Sequence, residues 1–462
     1  MNSSLKKSII EIARKFKSWE KNHNLFSRKT KDGIYYWDII RYNVYMSILS
    51  ENGIFVNVKD FLDKPKERFI KRLLKVIRLL PLYFINEFRF LFVLRKKSRV
   101  AFLLNSRFLD KKGNPCDLLM EDIHNKLYND AFVFEIFRNK NFRWDKGNID
   151  KRYFLYKLEI GYLLGQNFTE DWSELSDLIN KEFDLNLSWQ RMFDTLLNNY
   201  RKEYKIFSKA FKKIKPKYLF FQTHPKGMIA AANDMGTLTL DLQHGHTNNV
   251  GVLYSYPKEV DVKHVSSIPK VFLTLGNFWN ELVDFPNEKI TCGNSYFYIE
   301  HDAQVKANKG VMVVSVSFTH DFLQPATAQL AKEHPDLTFY YKLHSNQKHQ
   351  EESCKSFFLP FPNVKVIYTE ESVKEIMEKC FAIVVIQTSV IYQALQKGLI
   401  VFIIKRDYYE VSYDVFNEKG VYLVNNESEL SQKLSTIDIS LDHKGSVFFE
   451  PFDPTVIEKI VK

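Results

Sequence analysis

Apolar residues along this chain follow two different rhythms. From Arg99 onward, short apolar runs alternate with stretches whose apolar positions recur every three or four residues, as strands and helices alternate in a parallel α/β sheet. RVAFLLNS (Arg99–Ser106), DAFVFEIFRN (Asp130–Asn139), KYLFFQT (Lys217–Thr223), TLTLDLQ (Thr237–Gln243), VFLTLG (Val271–Gly276) and NEKIT (Asn287–Thr291) predict strands. Helical spacing fills a stretch starting near Asp117, Trp172–Lys213, the small-residue run GMIAAANDMG (Gly227–Gly236), which predicts a helix packed close to a sheet, and NFWNELVDF (Asn277–Phe285).

A second unit repeats the alternation. Gly310–Ser317, Leu337–His344, Asn363–Thr369, Phe381–Ser389, Leu399–Ile404 and Gly420–Asn425 predict strands, and Gln324–His334, Ser372–Cys380, Val390–Gly398 and Glu427–Ser435 predict helices. Gly398 suits a helix C-cap. The fold class is therefore α/β, with two Rossmann-like, doubly wound domains. Residues 98–303 form the first, 304–435 the second, and 436–462 a tail that packs back on the first.

Residues 1–97 read differently. Ser4–Trp19 and Tyr35–Leu49 carry helical apolar spacing, and Lys66–Arg99 is basic and aromatic with too many charges for a membrane span of about 20 apolar residues. This segment predicts a helical extension, either lying on an anionic bilayer or packed on its own domain with a solvated cationic face. Pro81 would kink its helix.

A length of 462 residues asks for two or three domains, and 45% hydrophobic with 26% charged residues excludes wholesale disorder. The formal net charge of +11 calls for an anionic partner. Cys116, Cys292, Cys354 and Cys380 form no CxxC pair, and the N-terminus lacks an apolar signal core, which fits a reducing cytoplasm; the bilayer reading of the basic segment would add peripheral contact with the inner face of the plasma membrane. Walker, GxGxxG and GxSxG motifs are absent, so ATP hydrolysis, dinucleotide redox chemistry and a serine-hydrolase elbow have no support.

The chemistry concentrates at strand ends. LTLDLQHGHTNNVGVLYSYP (Leu238–Pro257) turns from an apolar strand into Gln243-His244-Gly245-His246, where open α/β sheets hold ligands. His224 ends the preceding strand. His224, His244 and His246 raise the question of zinc, but no cysteine lies nearby and no HExxH occurs, so no metal is expected. Asp234 and Asp321 are alternative carboxylate bases, each better suited to an ordinary loop or capping role. In the second unit, Ser315–Ser317 with Thr319, Lys342–His344 and Gln387–Ser389 would share one sheet edge, with a helix N-terminus after Ser389 forming a phosphate site beside Lys342. Capping alone also accounts for Thr388 or Ser389.

These strand ends resemble those of GT-B-fold bacterial glycosyltransferases of capsule and lipopolysaccharide (surface polysaccharide) biosynthesis, and among them the sialyltransferase and CDP-glycerol transferase-like group. The resemblance covers roughly residues 99–430. Lys342-Leu343-His344-Ser345 is similar to a strand-end K-x-H-P, with Ser345 in place of proline. Thr388-Ser389 followed by a helix to Gly398 resembles the family's donor helix, with Gln393 where a carboxylate often holds the ribose. The resemblance implies a GT-B-like arrangement of two domains facing a central cleft. It implies that Ser317, Lys342, His344, Thr388, Ser389 and Gln393 bind the nucleotide of a CMP-, UDP- or GDP-linked sugar, with no other cofactor. His244 would be the general base, as an imidazole titrating near neutrality suits. Gln243, His246 and His224 would position the hydroxyl of a glycan or lipid-linked acceptor, and Gly245 would let it approach the backbone. A nucleotide-sugar 2-epimerase of the same fold and a non-enzymatic basic binder of nucleic acid or anionic surfaces are the alternatives. No zinc finger or RNP-type motif supports nucleic acid as a partner.

Overall fold

The computed structural model describes residues 8–54, 98–106, 108–109, 115–127, 129, 131–137, 152–154, 168–222, 225–302, 308–317, 319–437 and 446–462, with single helical positions between 74 and 88. Most of the basic helix expected over Lys66–Arg99 lies outside them, although Leu80 and Pro81 are both described as helical. Leu74, Ile77, Phe84 and Phe88, which are described, are each more than half exposed. The chain folds as two compact units. One comprises residues 12–274, 280–296 and 452–462; the other comprises 1–11, 275–279 and 297–451.

The N-terminal unit opens with α1 (Ile9–Asn22, from residue 12 onward) and α2 (Trp37–Glu51). It continues with β1 (Val100–Ser106), a short hairpin of β2 (Phe108–Leu109) and β3 (Pro115–Cys116), α3 (Glu121–Leu127), β4 (Ala131–Phe137), β5 (Arg152–Phe154), α4 (Ser173–Phe183), α5 (Gln190–Ile214) and β6 (Tyr218–Phe221). Then come α6 (Lys226–Asp234), β7 (Leu238–Leu242), β8 (Val271–Thr274), α7 (Asn277–Leu282, from residue 280 onward) and β9 (Glu288–Thr291). Among the described residues seven strands form one parallel sheet in the order β5-β4-β1-β6-β7-β8-β9. Burial of β6 and β8 on both faces explains why each reads as a mainly apolar run, whereas β7 (LTLDL) is equally buried but carries Thr239 and Asp241.

One local expectation shifts. The helix expected from near Asp117 begins at Glu121, because the Asp117 carboxylate accepts from the Asn105 amide at 2.8 Å and from the Gln222 side chain. The small-residue helix α6 clusters Met228, Ile229, Ala231 and Ala232 with Leu219 and Phe221 of the sheet, as expected, and in addition meets α5 closely. A Cβ on Gly227 would sit 2.4 Å from the Tyr200 carbonyl oxygen, so only glycine lets the two helices meet.

The N-terminal helices are integral to this unit. Phe16, Trp19, Trp37, Tyr45 and Phe183 form an aromatic cluster with ring centroids 5.2 to 6.1 Å apart. Beside it lies a buried ion pair. Arg41 Nε and Nη2 donate to the two oxygens of Glu20 at 2.7 and 2.8 Å, and Trp37 Nε1 donates to Glu20 at 2.7 Å. Arg41 also donates to the carbonyls of Val252 and Ser255, and its guanidinium lies 4.6 Å from the Tyr256 ring centroid. Asp38, one turn earlier on α2, accepts from Tyr256 at 2.9 Å and Ser267 at 2.7 Å and pairs with Lys226 at 2.7 Å.

The C-terminal unit carries β10 (Gly310–Val314), α8 (His320–Glu333), β11 (Thr338–Lys342), α9 (Glu351–Phe358), β12 (Val364–Ile367), α10 (Val373–Met377), β13 (Cys380–Val385), α11 (Val390–Lys397), β14 (Ile400–Ile404), β15 (Val421–Val424) and α12 (Glu427–Thr436). Its strands form a parallel sheet in the order β12-β11-β10-β13-β14-β15. Gly398 takes φ +100° directly after α11, the left-handed C-cap that the pattern predicts. Gln396 clamps the chain near its end, accepting from the Phe448 and Phe449 amides and donating to the Ile299 and Phe449 carbonyls. The final helix, α13 (Pro454–Val461), belongs to the N-terminal unit.

Removing one member of a buried ion pair leaves the other uncompensated, at a typical cost of about 3–5 kcal/mol. Glu20→Gln is expected to lower the unfolding free energy of the N-terminal unit, read from urea denaturation, by that order, and Glu20→Gln with Arg41→Met to recover a large part of it. Additive losses in this double-mutant cycle would show that the pair is not coupled.

Candidate functional site

At the carboxyl edge of the N-terminal sheet, β7 hands over to the His-Gly-His loop. Gln243 is fully buried: its amide proton goes to the Leu273 carbonyl, and its side chain donates to the Gly245 carbonyl at 2.8 Å. It braces the loop from beneath. The half-buried His244 places Nδ1 3.0 Å from the Tyr254 hydroxyl. With the proton on Nδ1 and donated to that oxygen, Nε2 presents a lone pair, the form a general base needs. His246 Nε2 lies 3.0 Å from the Asn248 side-chain nitrogen, which can only donate, and Asn248 Oδ1 accepts from Val250 at 3.1 Å. That tautomer keeps the His246 proton on Nδ1. A Cβ on Gly245 would meet nothing within 4 Å, so the glycine leaves open space over the loop. His224 lies outside the described residues. Beneath the loop, burial pushes the Asp241 carboxyl well above the usual carboxylate range, against the opposing charge of Lys226.

In the C-terminal sheet, central β10 places Ser315–Ser317 between the ends of β11 and β13. Ser317 Oγ donates to Asn346 Oδ1 at 3.1 Å, and the same oxygen lies 2.8 Å from His344 Nδ1. His344, Ser317 and Asn346 are all exposed, so this group is reachable by a ligand. His344 also begins the 3-10 turn Ser345–Gln350: Nδ1, when unprotonated, accepts from the Asn346 amide at 3.3 Å, and Gln347 Oε1 accepts from the His344 amide at 2.8 Å. The two Nδ1 contacts are alternatives set by the proton, and the shorter one corresponds to Nδ1–H.

Below the exposed group runs a buried polar chain. Gln347 Nε2 donates to Ser315 Oγ at 3.1 Å; Ser315 Oγ lies 3.5 Å from His320 Nδ1, and His320 Nδ1 lies 3.1 Å from the Tyr341 hydroxyl. Burial lowers the His320 proton affinity, which keeps that ring neutral.

The remaining expected residues separate. Lys342 turns toward β12, donating to the Tyr368 carbonyl, and burial lowers its proton affinity against the pull of Glu370 and Glu371. Thr388 Oγ1 accepts from the Val390 amide at 3.3 Å at the start of α11, whereas Ser389 makes no side-chain cap bond. Gln393 is buried, and its amide nitrogen donates to the Phe297 carbonyl at 3.0 Å, so it braces the segment entering the unit. Tyr254, Asn346, Gln347 and His320 were not foreseen. For Gln347 a signal exists, since His344-x-x-Gln347 has the spacing of a capping box. Among the described residues no group of three or more His, Cys, Asp or Glu side chains could hold a metal ion.

No protein-family model matches the sequence, and no curated protein matches it. Solved structures resemble it in the course of the chain. UDP-GlcNAc 2-epimerase from Methanocaldococcus jannaschii aligns with a TM-score of 0.44 and 10% identity over 78% of this chain and 99% of its own. MurG from Acinetobacter baumannii aligns with a TM-score of 0.49 and 10% identity over 79% and 99%. The glycosyltransferase of kitacinnamycin aligns with a TM-score of 0.43 and 11% identity over 74% and 91%.

Proposed function

We propose that the protein is a glycosyltransferase, moving a sugar from a nucleotide-activated donor to a hydroxyl of a bacterial surface glycan or a lipid-linked acceptor. The observation that supports this most is that each parallel sheet ends, at its carboxyl edge, in a hydrogen-bonded imidazole: His244 with Tyr254, and His344 with Asn346. In this reading His244 Nε2 takes the acceptor proton. The charge left on the departing phosphate is neutralised by His344, by the N-terminus of α11 and, at longer range, by Lys342. Ser317, Thr388 and Ser389 offer hydroxyls to the nucleotide and its phosphates. Gln393 acts on the donor only through the segment it braces.

The basic Lys66–Arg99 segment, with Leu74, Ile77, Phe84 and Phe88 exposed, suits peripheral contact with an anionic bilayer on the inner face of the plasma membrane, where a lipid-linked acceptor would reside. No helix among the described residues is long and apolar enough to cross a membrane.

A ligand that binds only the folded state stabilises it by about 2.7 kcal/mol at a hundred-fold excess over its Kd. One of CMP, CDP, UDP or GDP, or a sugar conjugate of one, is expected to raise the thermal midpoint of the wild type. His344→Ala and His344→Asn should both lose most of that increment. The asparagine variant retains a capping oxygen, so only the alanine variant should also pay in the unliganded midpoint. Absence of any shift with every nucleotide would sink the reading.

With the stabilising donor and a lipid-linked or glycan acceptor, His244→Ala is expected to lose about 100-fold or more in turnover while keeping the nucleotide shift. Should the wild type instead convert UDP-GlcNAc to its 2-epimer with no acceptor present, the epimerase reading replaces this one. Co-sedimentation checks the membrane contact. Phosphatidylglycerol vesicles should bring the protein down and phosphatidylcholine vesicles should not, with Phe84→Ser/Phe88→Ser releasing it. Equal binding to both vesicles, or no binding, would refute the contact.

A further inference from the structure

Within the N-terminal unit a cleft of about 200 Å³ lies between α2, α5, the start of α6 and residues 252–253. No residue assigned above to the reaction lines it. Its charges are largely compensated in pairs. Asp38 holds Lys226 at 2.7 Å and accepts from Tyr256 and Ser267, and Arg41 holds Glu20 at 2.7 Å. Glu203 adds a further carboxylate, which accepts from the Gly227 amide at 3.0 Å. A phosphate or carboxylate entering the cleft would meet a carboxylate and cations that are already paired. The cleft therefore disfavours an anion, which separates it from any nucleotide site.

The rest of the lining defines what it favours. Asn43 and Asn199 bring side-chain amides that both donate and accept, and Tyr42 and Tyr200 bring aromatic rings, with Leu196 and Leu253 as an apolar edge. Tyr42 is 41% exposed, whereas Tyr200 is 8% exposed, so one ring lies at the mouth and the other at the floor. Amides for hydroxyls and flat apolar faces for C–H groups are the two surfaces that a sugar ring presents together. The volume falls below the roughly 300–1,000 Å³ of clefts that take a drug-sized molecule, which leaves room for a single ring. Leu253 adjoins Tyr254, whose hydroxyl is bonded to His244, so the cleft wall and the anchor of the proposed base are consecutive residues.

We infer that this cleft is a saccharide subsite holding one neutral sugar residue of the acceptor, apart from the residue that is glycosylated. The inference rests on the transferase reading and sharpens it: the acceptor is a glycan of at least two residues, recognised by a ring that does not react. An epimerase acting on a free nucleotide sugar has no use for such a subsite.

Saturation-transfer NMR with the methyl glycosides of glucose, galactose, N-acetylglucosamine and N-acetylgalactosamine tests it on the full chain. At least one glycoside should receive saturation from the wild type. Asn199→Leu and Tyr42→Ala should each weaken that signal about five-fold or more, the loss of a hydrogen bond or a stacking face. Unchanged thermal midpoints would confirm that both variants fold, and the nucleotide shift should persist in them. A nucleotide shift without variant-sensitive glycoside binding overturns the subsite and leaves the transferase reading standing. Variant-sensitive glycoside binding with no nucleotide shift supports the cleft as a saccharide site and counts against the transferase reading.

Discussion

The N-terminal unit is built around a charge that has nowhere else to go. Arg41 is buried, and its guanidinium is satisfied only if Glu20 on α1 and the carbonyls of Val252 and Ser255 are all in place. A buried cation of this kind tolerates little displacement, because each lost partner exposes an uncompensated donor in a low-dielectric interior. The pair therefore fixes where residues 252–256 run, and with them Tyr254 and the imidazole of His244. Asp38 repeats the device one turn away, tying the same loop region to Lys226 at the head of α6. The part of α1 from residue 12 onward and α2 are thus the scaffold of the His-Gly-His loop.

The C-terminal unit solves the same positioning problem with neutral groups. Gln347, Ser315, His320 and Tyr341 form a buried chain in which every link has a partner, and the chain joins the end of β10 to the end of β11. Fully connected polar networks rigidify the elements they join. Here Ser317, His344 and Asn346 stand exposed above a buried, hydrogen-bonded floor.

The sequence pattern revealed the two sheets well, and the reason is physical. Parallel strands buried on both faces are mainly apolar, so runs such as FAIVVI before Gln387 or YLFF before Gln222 mark both a strand and the polar end where ligands gather. Ser317 and His344 were legible for that reason, and they do meet, through Asn346. What was not legible depends on partners far along the chain. Nothing local to Gln393 discloses the Phe297 carbonyl, and nothing local to Arg41 discloses Val252, more than two hundred residues away. Lys342 shows a related effect. Its position at a strand end was readable, but the long side chain could follow either neighbouring strand, and it follows β12.

Electrostatics differ between the two units in a way that bears on the reaction. The exposed edge of the C-terminal sheet gathers an imidazole, a helix N-terminus and, at longer range, a lysine, groups whose combined field attracts an anion. The cleft of the N-terminal unit pairs its cations with carboxylates and offers amides and aromatic faces instead. A chain that transforms one nucleotide sugar needs only the first environment. One that joins a charged donor to a neutral glycan needs both, each excluding the other's ligand: the first by leaving a neutral ring without stacking surfaces, the second by leaving a phosphate without an unpaired cation. In the proposed transfer, that division of labour would keep the charged donor and the neutral acceptor in separate environments.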